Sequence, residues 1–182
     1  MPTQVWGRAH PRPRFLSCLI LFVMFFPSFV FAQSIIIGEI NWAGSSRSIA
    51  DEWIELWNIG HQLQSLEGWT LEGASRDPLR FTTPQAIPPQ STFLIANYDS
   101  NNVKSSLDVQ PDFVTTDVAL ANDHLHLILR DAQGQIVDEA GDNTEPNAGS
   151  TQPIASMIRT ASDSNQATSW ITAVTTEHMD SS

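Results

Sequence analysis

Beyond residue 32 the chain alternates short apolar runs with turn residues, and no stretch sustains a helical period over three turns. Ile35–Asn41 is short and rich in β-branched residues, which predicts a strand. Trp42–Ala50 is small and polar, a loop of Gly and Ser. Trp53–Trp57 is a second strand, with Ile54 and Leu56 on one side and Trp53, Glu55 and Trp57 on the other. Large apolar groups on both sides predict a central strand covered at least partly on both faces. Trp69–Glu72, Leu79–Thr82 and Thr92–Ala96 read as three more strands, with Trp69 and Leu71 facing inward. Pro84, Pro88 and Pro89 exclude helix and central strand just before the last of these, and Ile87 between them is expected to be a plug under the loop.

Asn97–Asp112 is the most polar part of the chain and is expected to be a long exposed loop, with a single helical turn near Val103–Leu107. Val118, Leu120, Leu125, Leu127 and Leu129 restart the core. The turn Asp131–Gly134 joins His124–Arg130 to Gln135–Glu139 as an antiparallel hairpin. Gly141–Pro153 reads as a second long loop, followed by strands at Ser156–Thr160 and Trp170–Val174. Eight or more short strands punctuated by turns predict an all-β antiparallel sandwich.

The N-terminus changes the charge balance. Arg8, Arg12 and Arg14 precede an apolar stretch, Phe15–Ala32, that ends in Val30-Phe31-Ala32. A basic start, an apolar run and small residues before Gln33 match a signal peptide over residues 1–32, cleaved after Ala32; Pro27 suits a signal better than a stable span. The alternative is an uncleaved membrane anchor. The domain is expected over residues 33–176, with a frayed tail over 177–182, and the product outside the cytoplasm, secreted or in the cell envelope. Without residues 1–32 the chain has six basic and twenty acidic residues, a net of −14. Such a surface repels phosphate backbones and argues against nucleic acid as a partner. The single cysteine, Cys18, leaves with the signal, which excludes disulfides, thiol catalysis and cysteine-ligated zinc in the remainder.

Several landmarks together resemble one family. Ile37-Gly38-Glu39-Ile40, Trp42-Ala43-Gly44-Ser45-Ser46, Asp51-Glu52-Trp53-Ile54-Glu55-Leu56-Trp57-Asn58 and Leu66-Glu67-Gly68-Trp69-Thr70-Leu71 look like the lamin tail domain as it occurs in exported bacterial proteins. Ile87-Pro88-Pro89 with Phe93-Leu94-Ile95, the hairpin through Gly134 to Val137-Asp138, and Ser156-Met157-Ile158-Arg159 resemble its later landmarks. The similarity runs from about Ile35 to Val174 and implies an immunoglobulin-like β-sandwich. The family often has Asn in place of Gly38 and Glu in place of Ile158. A nuclease or phosphatase often accompanies the domain; neither activity is expected from this chain. The DNA association of nuclear lamin tails is not expected either, given the acidic balance.

Three groups of residues are candidates for chemistry. Glu39, Asp51, Glu52 and Glu55 come together if the first two strands pair, and hard oxygen ligands there would suit Ca²⁺; the plain alternative is a set of solvated strand-end acids or partners of Arg47, Arg80 or Arg159. His124 and His126 share a strand face and would chelate zinc or copper if Asp123 or Asp138 supplied a third ligand. The plain alternative is a polar outer face. Trp42 and Trp57, at a loop and a strand end, are candidates for a surface that binds a partner. No nucleophile elbow or phosphate-cradling glycine loop occurs. No cofactor is expected, with Ca²⁺ at the acids as the one alternative. The expected role is a non-catalytic interaction or structural module that binds a protein or envelope component through its end loops. The alternative is an extracellular domain stabilised by Ca²⁺ through its acidic residues, and hydrolase chemistry is the least supported reading.

Overall fold

The computed structural model describes Met1, Thr3, residues 34–160 and residues 167–174. The expected signal peptide and frayed tail lie outside the described residues. The described strands belong to one compact unit, Phe31–Ser182. In chain order they are β1 Ile35–Asn41, β2 Trp53–Asn58, β3 Gln64–Ser65, β4 Thr70–Glu72, β5 Leu79–Arg80, β6 Ala86–Ile87, β7 Ser91–Ala96, β8 Phe113–Val114, β9 Leu125–Arg130, β10 Ile136–Thr144, β11 Ser150–Thr151, β12 Ile154–Ala155, β13 Met157–Arg159 and β14 Trp170–Thr172. A single 3-10 turn, Ala167–Ser169, is the only helical element among the described residues.

One sheet has six strands in the order β14-β13-β1-β2-β7-β8, and the other has four in the order β10-β9-β4-β5. The inner faces meet over a core that includes Ile35, Ile37, Ile40, Ile54, Leu56, Trp69, Leu71, Leu127 and Leu129. Burying an Ile or Leu side chain fully is worth ~1.5–3 kcal/mol, so this sandwich core is the main source of stability. Ile87 is fully buried, as the sequence predicts, and packs within this core. The nearly all-β immunoglobulin-like sandwich agrees with the alternation read from the chain.

β2 is central, paired with β1 on one side and β7 on the other. The alternation sends Ile54 and Leu56 into the sandwich core and Trp53 to the opposite face. There Trp53 packs with Leu94, Ala96 and Leu107, covered by Val109. β1 keeps Ile35, Ile37 and Ile40 all facing inward because its register slips between Ile37 and Glu39. That bulge is at Gly38, where a Cβ would lie 2.0 Å from the Trp57 ring. The glycine is needed because the indole lies against its Cα.

Three expectations need correction. Asn97–Asp112 contains no helical turn, and it is not simply exposed: Ser105, Ser106 and Leu107 are buried. Its side chains bond to their own backbone instead, Asp99 accepting from the Asn101 amide and Asn102 from the Lys104 amide, which competes with helix. The segment returns over the outer face of β2 and β7, held there by Leu107 with Val109 packed beside it. Gly141–Pro153 is not one loop. β10 continues to Thr144 through a register shift with positive φ at Gly141 (79°) and Asn143 (66°), and β11 pairs with β12 beyond it. His124 lies just outside β9.

Candidate functional site

The end of β1, the start of β2 and the end of β7 come together in register, Asn41 opposite Trp53 and Trp53 opposite Ala96. Two long loops leave from this end, residues 42–52 and 97–112. Asp51 sits in the first and reaches the second. Its carboxylate Oδ2 accepts hydrogen bonds from the Ser106 amide at 2.7 Å and the Ser106 hydroxyl at 2.9 Å. Arg47 adds a second link, donating from Nη1 to the Ser105 carbonyl at 2.8 Å. Asn41 donates to the Gly44 and Asp51 carbonyls, both at 3.0 Å, and fixes the path of the first loop. Asn97 donates to the Ala50 and Val118 carbonyls at 2.8 and 2.6 Å.

Glu52 completes the end. Its Oε2 accepts the Leu120 amide at 3.0 Å. Burial raises its pKa from 4.5 to about 7, and the Leu120 bond offsets part of that rise by favouring the carboxylate. Glu39 and Glu55 face each other across β1 and β2, as the sequence suggests. Glu55 accepts the Trp57 indole N–H at 2.6 Å, and Glu39 accepts the Ser156 hydroxyl. All four acids are buried and hydrogen-bonded. They are therefore not the solvated strand-end acids of the plain alternative: each carboxylate has been taken from water and given donors of the fold. Among the described residues, no group of three or more His, Cys, Asp or Glu side chains is placed to hold a metal ion.

His124 and His126 are each engaged singly. His124 Nδ1 contacts the neighbouring Asp123, exposed to solvent, and His126 Nε2 lies 2.9 Å from Glu139 Oε2 across the hairpin. Asp138, the other expected third ligand, is turned inward. Its Oδ2 accepts the Ile37 amide at 2.7 Å and lies 3.0 Å from Arg159 Nη2, while its Oδ1 accepts from Arg159 Nη1 at 3.1 Å. This buried pair joins β10 of one sheet to β1 and β13 of the other. Arg159 also donates to the Glu139 carbonyl at 2.6 Å and lies 4.8 Å from the Trp170 ring centroid. In the sequence Arg159 stands out only as one partner for the strand-end acids, because its partner on β10 is distant along the chain.

Trp42 and Trp57 are half-buried, and both indole N–H groups donate within the fold, to the Ala148 carbonyl at 2.9 Å and to Glu55 respectively. The apolar side chains that do project from the linked loops are Ile49, 88% exposed, and Val103, 87% exposed. Neither stands out in the sequence, since each is an isolated apolar residue in a polar loop.

The sequence profile of the Lamin Tail Domain family matches residues 32–144. Among curated proteins, none matches the chain. The matched region holds β1 to β10 and both linked loops, and the sandwich continues past it, because β13 pairs with β1 and β14 with β13. On the profile match, which spans more than half of the sequence, and on a sandwich that agrees with it, the chain belongs to the Lamin Tail Domain family, a family of non-enzymatic immunoglobulin-like domains.

Proposed function

We propose that the chain is a non-catalytic interaction module of an exported protein, and that it docks a protein or cell-envelope component on the end formed by loops 42–52 and 97–112. The observation that supports this most is the Asp51–Ser106 link, with Arg47–Ser105 beside it. It holds two long loops in one arrangement before any partner arrives. Loops fixed in advance lose less conformational entropy on binding, which raises affinity without new contacts. Ile49 and Val103 offer apolar area on those loops. Glu39, Asp51, Glu52 and Glu55 each accept a hydrogen bond from the fold, which supports a structural role for these four acids. Export is supported by the basic start and the apolar run through Ala32.

The test is retention of envelope-extract proteins on the immobilised chain. The proposal expects a retained species that is lost with Ile49→Ser/Val103→Ser and kept with Ile136→Ser, a change on the hairpin at β10. Equal retention by the loop variant and the wild type contradicts it. Mass spectrometry of the secreted product tests export: a chain beginning at Gln33 agrees, and a product kept in the cytoplasm does not.

A further inference from the structure

A cleft of about 560 Å³ opens where the two sheets end side by side. β5 is the last strand of the four-stranded sheet and β8 the last of the six-stranded one. The cleft is lined by residues 75–80, Phe113, Thr115 and Asp117. Its volume lies in the range of ligand pockets, roughly 300–1,000 Å³. Leu79, buried, and Phe113, half-buried and 5.6 Å from the Phe81 ring, supply apolar surface.

The charges of this cleft set it apart. Six basic residues follow residue 32, and all six are described. Arg130 pairs with Glu72, Arg159 with Asp138, Arg47 donates to Ser105, and Lys104 lies over the Tyr98 ring. Only Arg76 and Arg80 make no ion pair, side-chain hydrogen bond or ring contact with another described residue, and both line the cleft. Asp77 and Asp117 line it too, and their carboxylates are equally uncommitted among the described residues. Two cations and two anions thus share one cavity without neutralising each other. A ligand bearing both charges satisfies both sets, whereas a polyanion meets the two aspartates and a polycation the two arginines.

We propose that this cleft binds a short zwitterionic peptide carrying an apolar side chain. Its carboxylate is taken by Arg76 and Arg80, its ammonium by Asp77 and Asp117, and its side chain packs on Leu79 and Phe113. None of its lining residues belongs to loops 42–52 or 97–112, and its binding does not depend on their docking a partner.

Titration of the purified chain with phenylalanyl-glycine, followed in amide proton–nitrogen correlation spectra, tests this. Three further probes are the N-acetylated dipeptide (anion only), the C-amidated dipeptide (cation only) and the doubly blocked form. The expected result is a saturable shift confined to residues 75–80 and 113–117, with affinity falling on the order of tenfold for each charge removed. Arg76→Ala/Arg80→Ala should weaken the free dipeptide and the acetylated form but not the amidated one. Asp77→Asn/Asp117→Asn should do the converse. These side chains are exposed, and unchanged dispersion of the remaining signals reports an intact fold. The proposal is overturned if the doubly blocked form binds as well as the free dipeptide. It is equally overturned if the arginine variant binds all probes unchanged, or if no saturable shift appears at those residues.

Discussion

Asp51 and Ser106, separated by 55 residues in the chain, form two hydrogen bonds, from the amide at 2.7 Å and the hydroxyl at 2.9 Å. Both groups are buried, and the acceptor is a carboxylate. Removing the carboxylate leaves the Ser106 amide without this acceptor. Asp51→Ala should therefore cost about 2–4 kcal/mol in urea unfolding. Ser106→Ala, which keeps the amide bond, should cost less than half as much. Equal costs would show that the amide bond contributes little.

The Asp138–Arg159 pair joins the two sheets where both residues are buried. Breaking a buried pair from one side strands the other charge, so Arg159→Met should cost about 3–5 kcal/mol. Asp138→Asn should cost less, because the amide oxygen still accepts from Ile37. A double-mutant cycle should give a coupling above about 1 kcal/mol; additive costs would deny the pair its role.

Glu52 gives a pH dependence of unusual sign for a carboxylate. In the fold it keeps its proton up to about pH 7, against an ordinary 4.5 when unfolded. Below 4.5 both states are protonated, and between those values the unfolded state alone releases the proton. Its contribution to stability is thus fully present below 4.5, declines as pH rises, and is lost above about 7. Glu52→Gln should match wild type in acid and exceed it by about 3 kcal/mol above neutrality, at 1.36 kcal/mol per pKa unit. A constant difference across that window would contradict the burial account.

Gly38 and Trp57 are linked by contact. Gly38→Ala places a Cβ 2.0 Å from the indole and should displace it from Glu55, at a cost of about 1–3 kcal/mol. In a Trp57→Ala background the same change should cost under about 1 kcal/mol. Equal costs in both backgrounds would mean that the bulge, not the ring, demands glycine.

The sequence makes the sandwich legible because strand alternation is local. Trp53–Trp57 announces a central strand through apolar groups on both faces, and the Asp131–Gly134 turn announces the β9–β10 hairpin. The linked end is less legible. Asp51, Glu52 and Glu55 stand out as acids, but their partners Ser106, Leu120 and Trp57 are chosen by tertiary approach. Acids in a strand suggest solvent or metal, and only the fold supplies the donors that make burial tolerable. Leu107 is similar: a lone Leu in a polar stretch reads as exposed until Trp53 and Leu94 are found beneath it. The cleft at Arg76 and Arg80 is set by two sheet edges meeting, which no local pattern encodes.

Under the proposed function, Asp51 holds loops 42–52 and 97–112 in one arrangement ready for a partner. Hydrogen exchange at the Ser106 amide reads that link itself. In the wild type this amide should exchange as slowly as those of β2, and Asp51→Ala should speed it on the order of tenfold or more while the β9–β10 amides keep their protection. Rapid exchange at Ser106 in the wild type, or a rate indifferent to Asp51→Ala, would contradict this role of Asp51.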